Sequence, residues 1–293
     1  MTLMLCGILI KTDYKQLNRF VMKTKLLIIA GLIGVCCLIS CKKEGMDNHG
    51  NSNVDGDKTE DTLPELEEVD DVCTKMDDIN FTKYCYDKFD VNKDGKVSMK
   101  EANAVKVIFC SSSVVSCAGI EYFSNLELLS IGGIDYGIFS EEPAIKTLDL
   151  CYNKCLNYLY IHNAKCIQRL DLRPNTELKS AITIQKCIEL VSVYLPKSIE
   201  KIPTLAFDGC DKLSVVDMSQ CVNLKEIEGA FYGYTFPSNI DVFLIGATVP
   251  PKTSDRSFEY NSIKTLKVPA ESVEAYENSV WEDYAVKIIP LEN

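Results

Sequence analysis

The residues of this chain whose types and spacing could do chemistry lie in one stretch, DVNKDGKVSMKE, which runs from Asp90 to Glu101. Side-chain oxygens recur there at alternate positions, a glycine stands at the sixth position, and a glutamate closes the twelfth. Calcium is a hard cation that takes about six to eight oxygen ligands from carboxylates, amides, hydroxyls and main-chain carbonyls. The pattern therefore predicts one bound calcium ion, and its expected ligands are Asp90, Asn92, Asp94, the Lys96 carbonyl, Ser98 and Glu101.

The stretch resembles the loop of an EF-hand, in which Gly95 allows the sharp turn and Val97 is the apolar residue that usually pairs with a second loop. Apolar residues at helical spacing precede it, and Glu101–Ala104 begins a second helix. Because the sequence contains no second loop of this kind, we expect a structural ion. A signalling loop and a degenerate loop that binds no ion are the alternatives. Dockerins carry a similar segment twice, so no cohesin partner is expected.

A hydrophobic run occupies residues 26–39 and follows a short basic segment. It is too short to span a bilayer but has the length of the apolar part of a signal peptide. We therefore predict a signal peptide over residues 22–40, with residues 1–21 as an upstream extension. A buried helix or a simple membrane anchor is the alternative. The run ends in Leu-Ile-Ser-Cys, which resembles the bacterial lipobox, and this resemblance implies that Cys41 carries lipid and that lipid alone holds the protein to a membrane.

Residues 41–72 are predicted to form the lipidated cysteine and a disordered tether. Eleven acidic residues and one lysine lie between Glu44 and Asp71, and few side chains there are apolar, so the segment cannot bury enough surface to fold alone. Lys42-Lys43-Glu44 resembles the export signal of some Bacteroidota surface lipoproteins. The expected location is the outer membrane with the domain facing the cell exterior, and the periplasmic face is the alternative.

The rest of the sequence repeats one pattern, an apolar residue followed by apolar residues three and five positions later. Leu148 and Leu170 occupy the same place in two copies that lie 22 residues apart, and intermediate copies fall at about half that spacing. No single unit can bury its own apolar face, so stacked units must share one core. The pattern predicts a leucine-rich repeat solenoid over residues 105–245, mostly β, with short strands and irregular turns. An EF-hand-like helical segment over 73–104 and a helix–strand cap over 246–293 would close its ends.

Residues 199–213, IEKIPTLAFDGCDKL, resemble the repeat unit of BspA-like leucine-rich repeat proteins. Residues 247–251, 263–270 and 272–276 resemble the end of many Bacteroidota surface lipoproteins of this kind, in which a helix and a last strand close the solenoid. The resemblance implies a surface lipoprotein of this family. The stretch 132–143 departs from the repeat pattern.

The sequence contains 14 cysteines, which raises the question of disulfides. Several cysteines keep a fixed distance from the leucines of their repeat, at turn positions where an inward thiol packs well. Free buried thiols are therefore predicted for Cys155, Cys166, Cys187, Cys210 and Cys221. Cys73 and Cys85 form the pair to examine first for a bridge. No zinc site is expected, because histidine partners are lacking.

Composition argues against several classes of function. The formal net charge is -11 and no basic stripe occurs, so nucleic-acid binding is not expected. Only two histidines are present, and the sequence has no recognisable nucleophile–base set, phosphate loop or catalytic pair of carboxylates. We therefore expect no enzymatic activity, and a hydrolase is the enzyme class against which this expectation is weighed.

Leucine-rich solenoids bind partners through the outward side chains of their strands. Mixed aromatic and charged side chains there suit a protein or a glycan, and an ordinary solvated face is the alternative. The predicted binding face consists of Tyr158, Tyr160, His162, Arg169, Asp171, Arg173 and Tyr194. The predicted function is binding or adhesion at the cell surface, with a host or dietary protein or glycan as the ligand. The alternatives are a glycan-binding accessory lipoprotein of a polysaccharide-uptake system and a structural component of a surface layer.

Overall fold

The computed structural model describes residues 63–111, 113–132, 145–231, 240–254, 257–258 and 262–292. They belong to one compact unit that spans Asp61–Asn293. The predicted signal peptide, Cys41 and residues 41–62 of the predicted tether lie outside the described residues. Within the described part of the chain, no helix has the length and apolar character needed to cross a membrane.

Helices occur at the two ends of the described chain. Two α-helices precede the first strand and two lie near the C-terminus: α1 (Ile79–Phe89), α2 (Met99–Ala104), α3 (Val273–Glu277) and α4 (Trp281–Tyr284). Three short 3₁₀ turns accompany them: Val72–Lys75, Ile120–Tyr122 and Ala270–Ser272. The helix predicted to begin at Glu101 begins at Met99, because Ser98 accepts the main-chain N–H of Glu101 and so fixes the helix start two residues earlier.

Short strands fill the region between these helices. Their bounds are β1 (Val107–Cys110), β2 (Leu128–Ile131), β3 (Tyr158–His162), β4 (Arg169–Asp171), β5 (Ile182–Gln185), β6 (Ser192–Tyr194), β7 (Lys201–Ile202), β8 (Val215–Met218), β9 (Glu226–Ile227), β10 (Ile240–Ile245), β11 (Lys252–Thr253), β12 (Ile263–Val268) and β13 (Ile288–Pro290). All the pairings between them are parallel. They form three sheets, which we call sheet A (β1-β2-β3-β5), sheet B (β4-β6-β8-β10-β12-β13) and sheet C (β7-β9-β11).

One turn of the solenoid visits the three sheets in a fixed order. The chain passes from β6 in sheet B to β7 in sheet C, and residues 205–208 then accept hydrogen bonds from β5 of sheet A before β8 returns to sheet B. The parallel register places Val193, Val216, Phe243 and Leu266 in one line, and all four are fully buried. Each coil therefore covers the apolar side of its neighbour, which confirms the predicted leucine-rich repeat solenoid.

Buried asparagines join the early coils. Asn153 donates from Nδ2 to the carbonyls of Ile120 and Phe123, and Asn175, 22 residues later, donates in the same way to Leu150 and Asn153 itself. Both side chains are fully buried. Because unpaired buried carbonyls are costly, these amides satisfy main-chain groups that the short strands leave without partners. The repeat analysis did not identify them, although their spacing equals one coil.

The predicted inward thiols are only partly confirmed. Cys187, Cys210 and Cys221 are buried, whereas Cys155 and Cys166 are half-buried. The thiols of the two early cysteines therefore lie at the edge of the core rather than inside it. All ten cysteines of the described chain are free thiols in this structure.

The folded chain begins earlier than the sequence predicts. Residues 63–72 were assigned to the disordered tether, but Leu66 and Val69 pack against the core and Val72 is fully buried. Tyr152 also donates from its hydroxyl to the Pro64 carbonyl at 2.9 Å. Most side chains of this segment are polar or acidic. Its few apolar side chains are sufficient to hold it in place because they pack against the folded core.

The C-terminal cap follows its prediction. Trp281 and Tyr276 are fully buried under the last coil, and β13 adds a final strand to sheet B beside β12. The indole of Trp281 donates to the Pro251 carbonyl at 2.9 Å, so its polar atom is satisfied in the core.

Candidate functional site

The N-terminal helical segment holds the Asp90–Glu101 loop through contacts with the residues just before α1. Val72 donates its main-chain N–H to the Val97 carbonyl at 2.9 Å, and Val97 donates its own N–H to Asp71 Oδ1 at 3.1 Å. Asp71 also accepts the Tyr86 hydroxyl at Oδ2. The residue that usually pairs with a neighbouring loop is therefore paired within the chain, by a segment that the sequence analysis had placed in the tether.

A second carboxylate, Asp78, joins this segment to the solenoid. Its Oδ1 accepts the N–H groups of Asn80 and Phe81 and so caps α1, while Oδ2 accepts those of Val115 and Ser116. Burial by itself would raise the pKa of Asp78. The four N–H donors outweigh burial and hold that pKa below its ordinary value.

The predicted calcium ligands form one loop between α1 and α2. The loop turns through Lys93 and Gly95, whose φ angles are 60° and 85°. Asp90 Oδ2 accepts the Gly95 N–H at 3.0 Å, and Asp94 Oδ1 accepts the Lys96 N–H at 3.0 Å. Asn92 Oδ1 accepts the Asp94 N–H, also at 3.0 Å. These bonds arrange the oxygen-bearing side chains around one short loop.

Glu101 closes the loop from the start of α2. Its Oε2 accepts the N–H and the hydroxyl of Ser98, while Oε1 accepts the Val91 N–H at 3.0 Å. The main-chain and side-chain hydrogen bonds from Ser98, with those from Val91 and Asn92, lower the pKa of Glu101 to about 2. The carboxylate is thus ionised at neutral pH, as a calcium ligand must be.

One unpaired atom in this loop supports a bound cation. Asp90 Oδ1 is buried and has no hydrogen-bond partner, whereas Oδ2 of the same carboxylate is paired. A buried carboxylate oxygen without a partner is costly, and a hard cation is a partner that would satisfy it. Across the described ranges, no three His, Cys, Asp or Glu side chains converge as metal ligands. The three predicted ligands of those types, Asp90, Asp94 and Glu101, therefore do not converge in this structure, and the other three, Asn92, Ser98 and the Lys96 carbonyl, are of other types.

The structure divides the predicted binding face between two sheets. Tyr158, Tyr160 and His162 lie on β3 of sheet A, whereas Arg169 and Asp171 lie on β4 of sheet B, with Tyr194 on β6 beside them and Arg173 just beyond β4. The expectation of one face is thus not met, because strands half a coil apart belong to different sides of the coil.

On sheet B, four of the predicted residues form a fixed cluster. The guanidinium carbon of Arg169 lies 4.0 Å from the ring centroid of Tyr194, and that of Arg173 lies 5.0 Å from it. Arg173 also binds both carboxylate oxygens of Asp171, which lowers the pKa of Asp171 and raises that of Arg173. The ring of Tyr194 is therefore held between two cations on the outer face.

The outer face of sheet B continues beyond this cluster with residues that the sequence analysis missed. Val215, Val242 and Leu244 are half-buried and point away from the core, because each alternates with a buried neighbour in β8 or β10. The register places Tyr194 beside Asp217, and Asp217 beside Leu244. The variable position just before the paired apolar residues of each repeat was the signal that could have identified Val215.

Sheet C presents a different surface. Lys201 contacts Glu226 at 3.1 Å and Glu228 at 2.7 Å, and Lys225 contacts Glu200 at 2.7 Å. These charges are paired with each other along the coil axis. The exposed charges on this side are therefore largely neutralised by ion pairs.

Sheet A exposes aromatic rings. Phe109 and Tyr158 are 49% and 47% exposed, and the rings of Tyr160 and His162 are stacked at a centroid distance of 6.1 Å. Flat exposed rings of this kind are suited to an amphipathic planar partner.

An acidic pocket of about 460 Å³ lies where the helical segment meets the coils, and Asp77, Glu121 and Asp149 are among its lining residues. Glu121 accepts the Gly119 N–H and Asp149 accepts the Cys151 N–H, so both carboxylates serve the main chain.

Comparison with known proteins agrees with this architecture. Residues 181–287 match the family described as the BspA type leucine rich repeat region, in six copies. No curated protein matches the chain.

Two solved structures from Listeria monocytogenes are similar to it. The internalin InlF shares 12% identity and has a TM-score of 0.29, with 79% of this chain and 95% of that chain covered. The functional domain of InlJ, which includes a cysteine ladder, shares 12% identity and has a TM-score of 0.22, with 75% and 61% covered. Likenesses of this size do not extend to function.

The described coils and the family match show that this chain is a leucine-rich repeat solenoid, whose residues 181–287 match the BspA-type leucine-rich repeat region.

Proposed function

We propose that this chain is a non-enzymatic binding protein that recognises a protein partner through the outer face of sheet B. The observation that carries the proposal is the Tyr194 ring held between Arg169 and Arg173 on an exposed surface. Tyrosine and arginine are enriched among the residues that dominate protein–protein binding energies. Val215 and Leu244 add apolar area next to this cluster.

Preorganisation supports the same proposal. Asp171 holds Arg173 through two hydrogen bonds, and the Arg169 Nη1 donates to the Tyr194 hydroxyl at 2.8 Å. These side chains therefore lose little rotamer freedom when a partner docks, which lowers the entropic cost of binding. Sheet B has six strands at a spacing of about 4.8 Å, so its face is about 24 Å long.

The test is quantitative binding of the full chain to a panel of purified secreted and cell-surface proteins, with a glycan array in parallel. Saturable binding to a protein is expected, and Arg169→Ala with Tyr194→Ala is expected to weaken it at least about tenfold. Lys201→Ala on sheet C is the matched control and should leave the affinity unchanged. Equal losses in the two variants, or turnover of any glycan or peptide by the purified chain, would contradict the proposal.

Glycan binding is the second candidate, and a separate observation favours it. The exposed rings of Phe109 and Tyr158 lie on sheet A, away from the arginine cluster. Tyr158→Ala should then abolish binding on the glycan array while the sheet B variant retains it.

Surface attachment by lipid at Cys41 and one structural calcium ion in the Asp90–Glu101 loop complete the proposal. The lipobox resemblance supports the first, and the unpaired Asp90 Oδ1 supports the second. Cys41→Ala should release the protein from the membrane fraction into the soluble fraction, and full retention would contradict the lipid anchor.

A further inference from the structure

Four cysteines gather where the helical segment meets the first coil. Cys73 lies in the first 3₁₀ turn, Cys85 in α1, Cys110 at the end of β1, and Cys117 just before the second 3₁₀ turn. All four are buried, with exposures of 3% or less. They come from three different elements and one connecting segment, so the fold rather than the sequence brings them together.

The four thiols form two pairs. The Sγ atoms of Cys110 and Cys117 are 3.8 Å apart. The thiols of Cys73 and Cys85 share a hydrogen bond, which with burial raises the pKa of Cys85. The pair Cys110 and Cys117 likewise raises the pKa of Cys110. The Sγ of Cys110 is thus in hydrogen-bond contact with that of Cys117, and the Sγ of Cys85 with that of Cys73.

The buried repeat cysteines have other partners. Cys210 donates to the Ile184 carbonyl at 3.3 Å, and Cys221 donates to the Pro196 carbonyl at 3.2 Å. Cys187 contacts Cys210, but its thiol also lies 3.5 Å from the Gln185 carbonyl. A thiol that donates to a carbonyl loses this bond on oxidation, whereas Cys110 and Cys117 lose only their mutual contact.

We propose that Cys110 with Cys117, and Cys73 with Cys85, are two disulfide sites, one on each side of the junction between the helical segment and the solenoid. In each, two S–H bonds break and one S–S bond forms. The two protons and two electrons pass to the disulfide of a thiol–disulfide exchange partner, either a small glutathione-type disulfide or an oxidoreductase, whose S–S bond breaks to two thiols. Because burial shields these sulfurs from an exchange partner, the bonds form during folding or local opening rather than in the closed state.

The positions of the two sites give them a shared effect. The Cys110–Cys117 bond would close the segment that carries Val115 and Ser116, the residues that donate to Asp78. The Cys73–Cys85 bond would tie the first 3₁₀ turn, which Asp71 caps, to α1. Each bond therefore secures one of the two carboxylate links of the helical segment.

The full chain is refolded in a glutathione redox buffer or in dithiothreitol, alkylated with N-ethylmaleimide, and mapped by peptide mass spectrometry. Linked peptides Cys110–Cys117 and Cys73–Cys85 are expected, each bond lowering the mass by about 2 Da, while Cys187, Cys210 and Cys221 are alkylated. The oxidised chain is expected to melt at a higher temperature than the reduced chain, and Cys85→Ala with Cys117→Ala removes this shift.

The variant Cys187→Ala is the control and should leave both linked peptides in place. Alkylation of all four cysteines at the junction, Cys73, Cys85, Cys110 and Cys117, after oxidative refolding would overturn the proposal. A Cys187–Cys210 link of equal yield, or scrambled pairing among these four cysteines, would do the same. Peptide mapping of the unmutated chain decides the matter even if the double variant does not fold. The outcome does not depend on the binding role of sheet B.

Discussion

Asp78 accepts the main-chain N–H of Val115 at 2.7 Å, across 37 positions of sequence. The same carboxylate caps α1 through its other oxygen. One side chain therefore caps the start of α1 and also holds the segment that follows β1. The junction between the helical segment and the solenoid is therefore sensitive to substitution of this single carboxylate.

Asp78→Ala should destabilise the protein by about 2–4 kcal/mol. The loss of a helix N-cap costs about 1 kcal/mol, and the loss of the two part-buried hydrogen bonds from Val115 and Ser116 adds about 0.5–1.5 kcal/mol each. Chemical denaturation followed by circular dichroism measures the change. Asp77→Ala, at the exposed neighbouring carboxylate, is the control and should cost less than about 0.5 kcal/mol. Equal effects of the two substitutions would show that the Asp78 link is unimportant.

Low pH should destabilise the helical segment because it protonates Asp78. The folded-state pKa of Asp78 lies below its unfolded value of about 3.9, so its contribution to stability is complete above that pH. The contribution is lost as the pH falls through the folded value, because the protonated carboxyl accepts these bonds weakly. The melting-temperature difference between the wild type and Asp78→Asn should therefore stay constant from pH 6 to about pH 4 and shrink as the pH falls further. A difference that stays constant below about pH 4 would contradict the assignment.

The proposed calcium ion should stabilise the chain in a concentration-dependent way. A free calcium concentration about ten times Kd adds about 1.4 kcal/mol if only the folded state binds the ion. Asp90→Asn should remove this gain, and Glu101→Gln should reduce it while preserving the helix start, since glutamine also completes a capping box. Differential scanning calorimetry with calcium and with chelator measures it. Asp87→Asn, outside the loop, should keep the full response, and identical melting with calcium and chelator in the wild type would refute the site.

Asn175→Ala should cost about 2–4 kcal/mol, because two buried carbonyls of the preceding coil, those of Leu150 and Asn153, lose their donor. The effect should appear as earlier unfolding of the first coils, since repeat proteins are stabilised by nearest-neighbour contacts. Hydrogen exchange of the coil amides checks this. Thr176→Ala, at the exposed adjacent position, should leave the exchange unchanged.

The solenoid was predictable because its signal is local and repeated. The apolar residues of each repeat copy, such as those that include Leu148 and Leu170, indicate which side chains point inward. Stacking of the copies is the arrangement that buries these side chains. The C-terminal cap was predictable for the same reason, since Trp281 and Tyr276 follow a strand that the repeat pattern already places. The predicted cap agrees with the structure because the large aromatic rings of Trp281 and Tyr276 are buried there.

The pairing of Val97 with Val72 was not predictable from local pattern. The run of acids before Val72 has the composition of a disordered segment, and composition does not show that Asp71 accepts three hydrogen bonds. A carboxylate that serves as a long-range acceptor looks the same in sequence as one that faces water.

The split of the predicted binding face has a geometric cause. Copies of the repeat pattern at half the coil length were treated as equivalent strands, but half a coil carries the chain to another side of the solenoid. Tyr160 and Asp171 are therefore on different sheets although both occupy outward positions. The alternation of apolar and polar residues indicates whether a side chain points inward or outward. The sheet on which that side chain lies is determined only by the closed coil.

The early start of the fold determines where tension would enter the molecule. A pull on the chain ahead of residue 63 is resisted first by the Tyr152 bond to Pro64, then by the ion pair of Glu67 with Lys75, and then by the bonds of Val72 and Asp71 to Val97. Beyond the Tyr152 bond, the force passes through Val97 to the Asp90–Glu101 loop before it reaches the strands of sheet B. The outer face of sheet B therefore keeps its shape under load until this N-terminal fastening has opened.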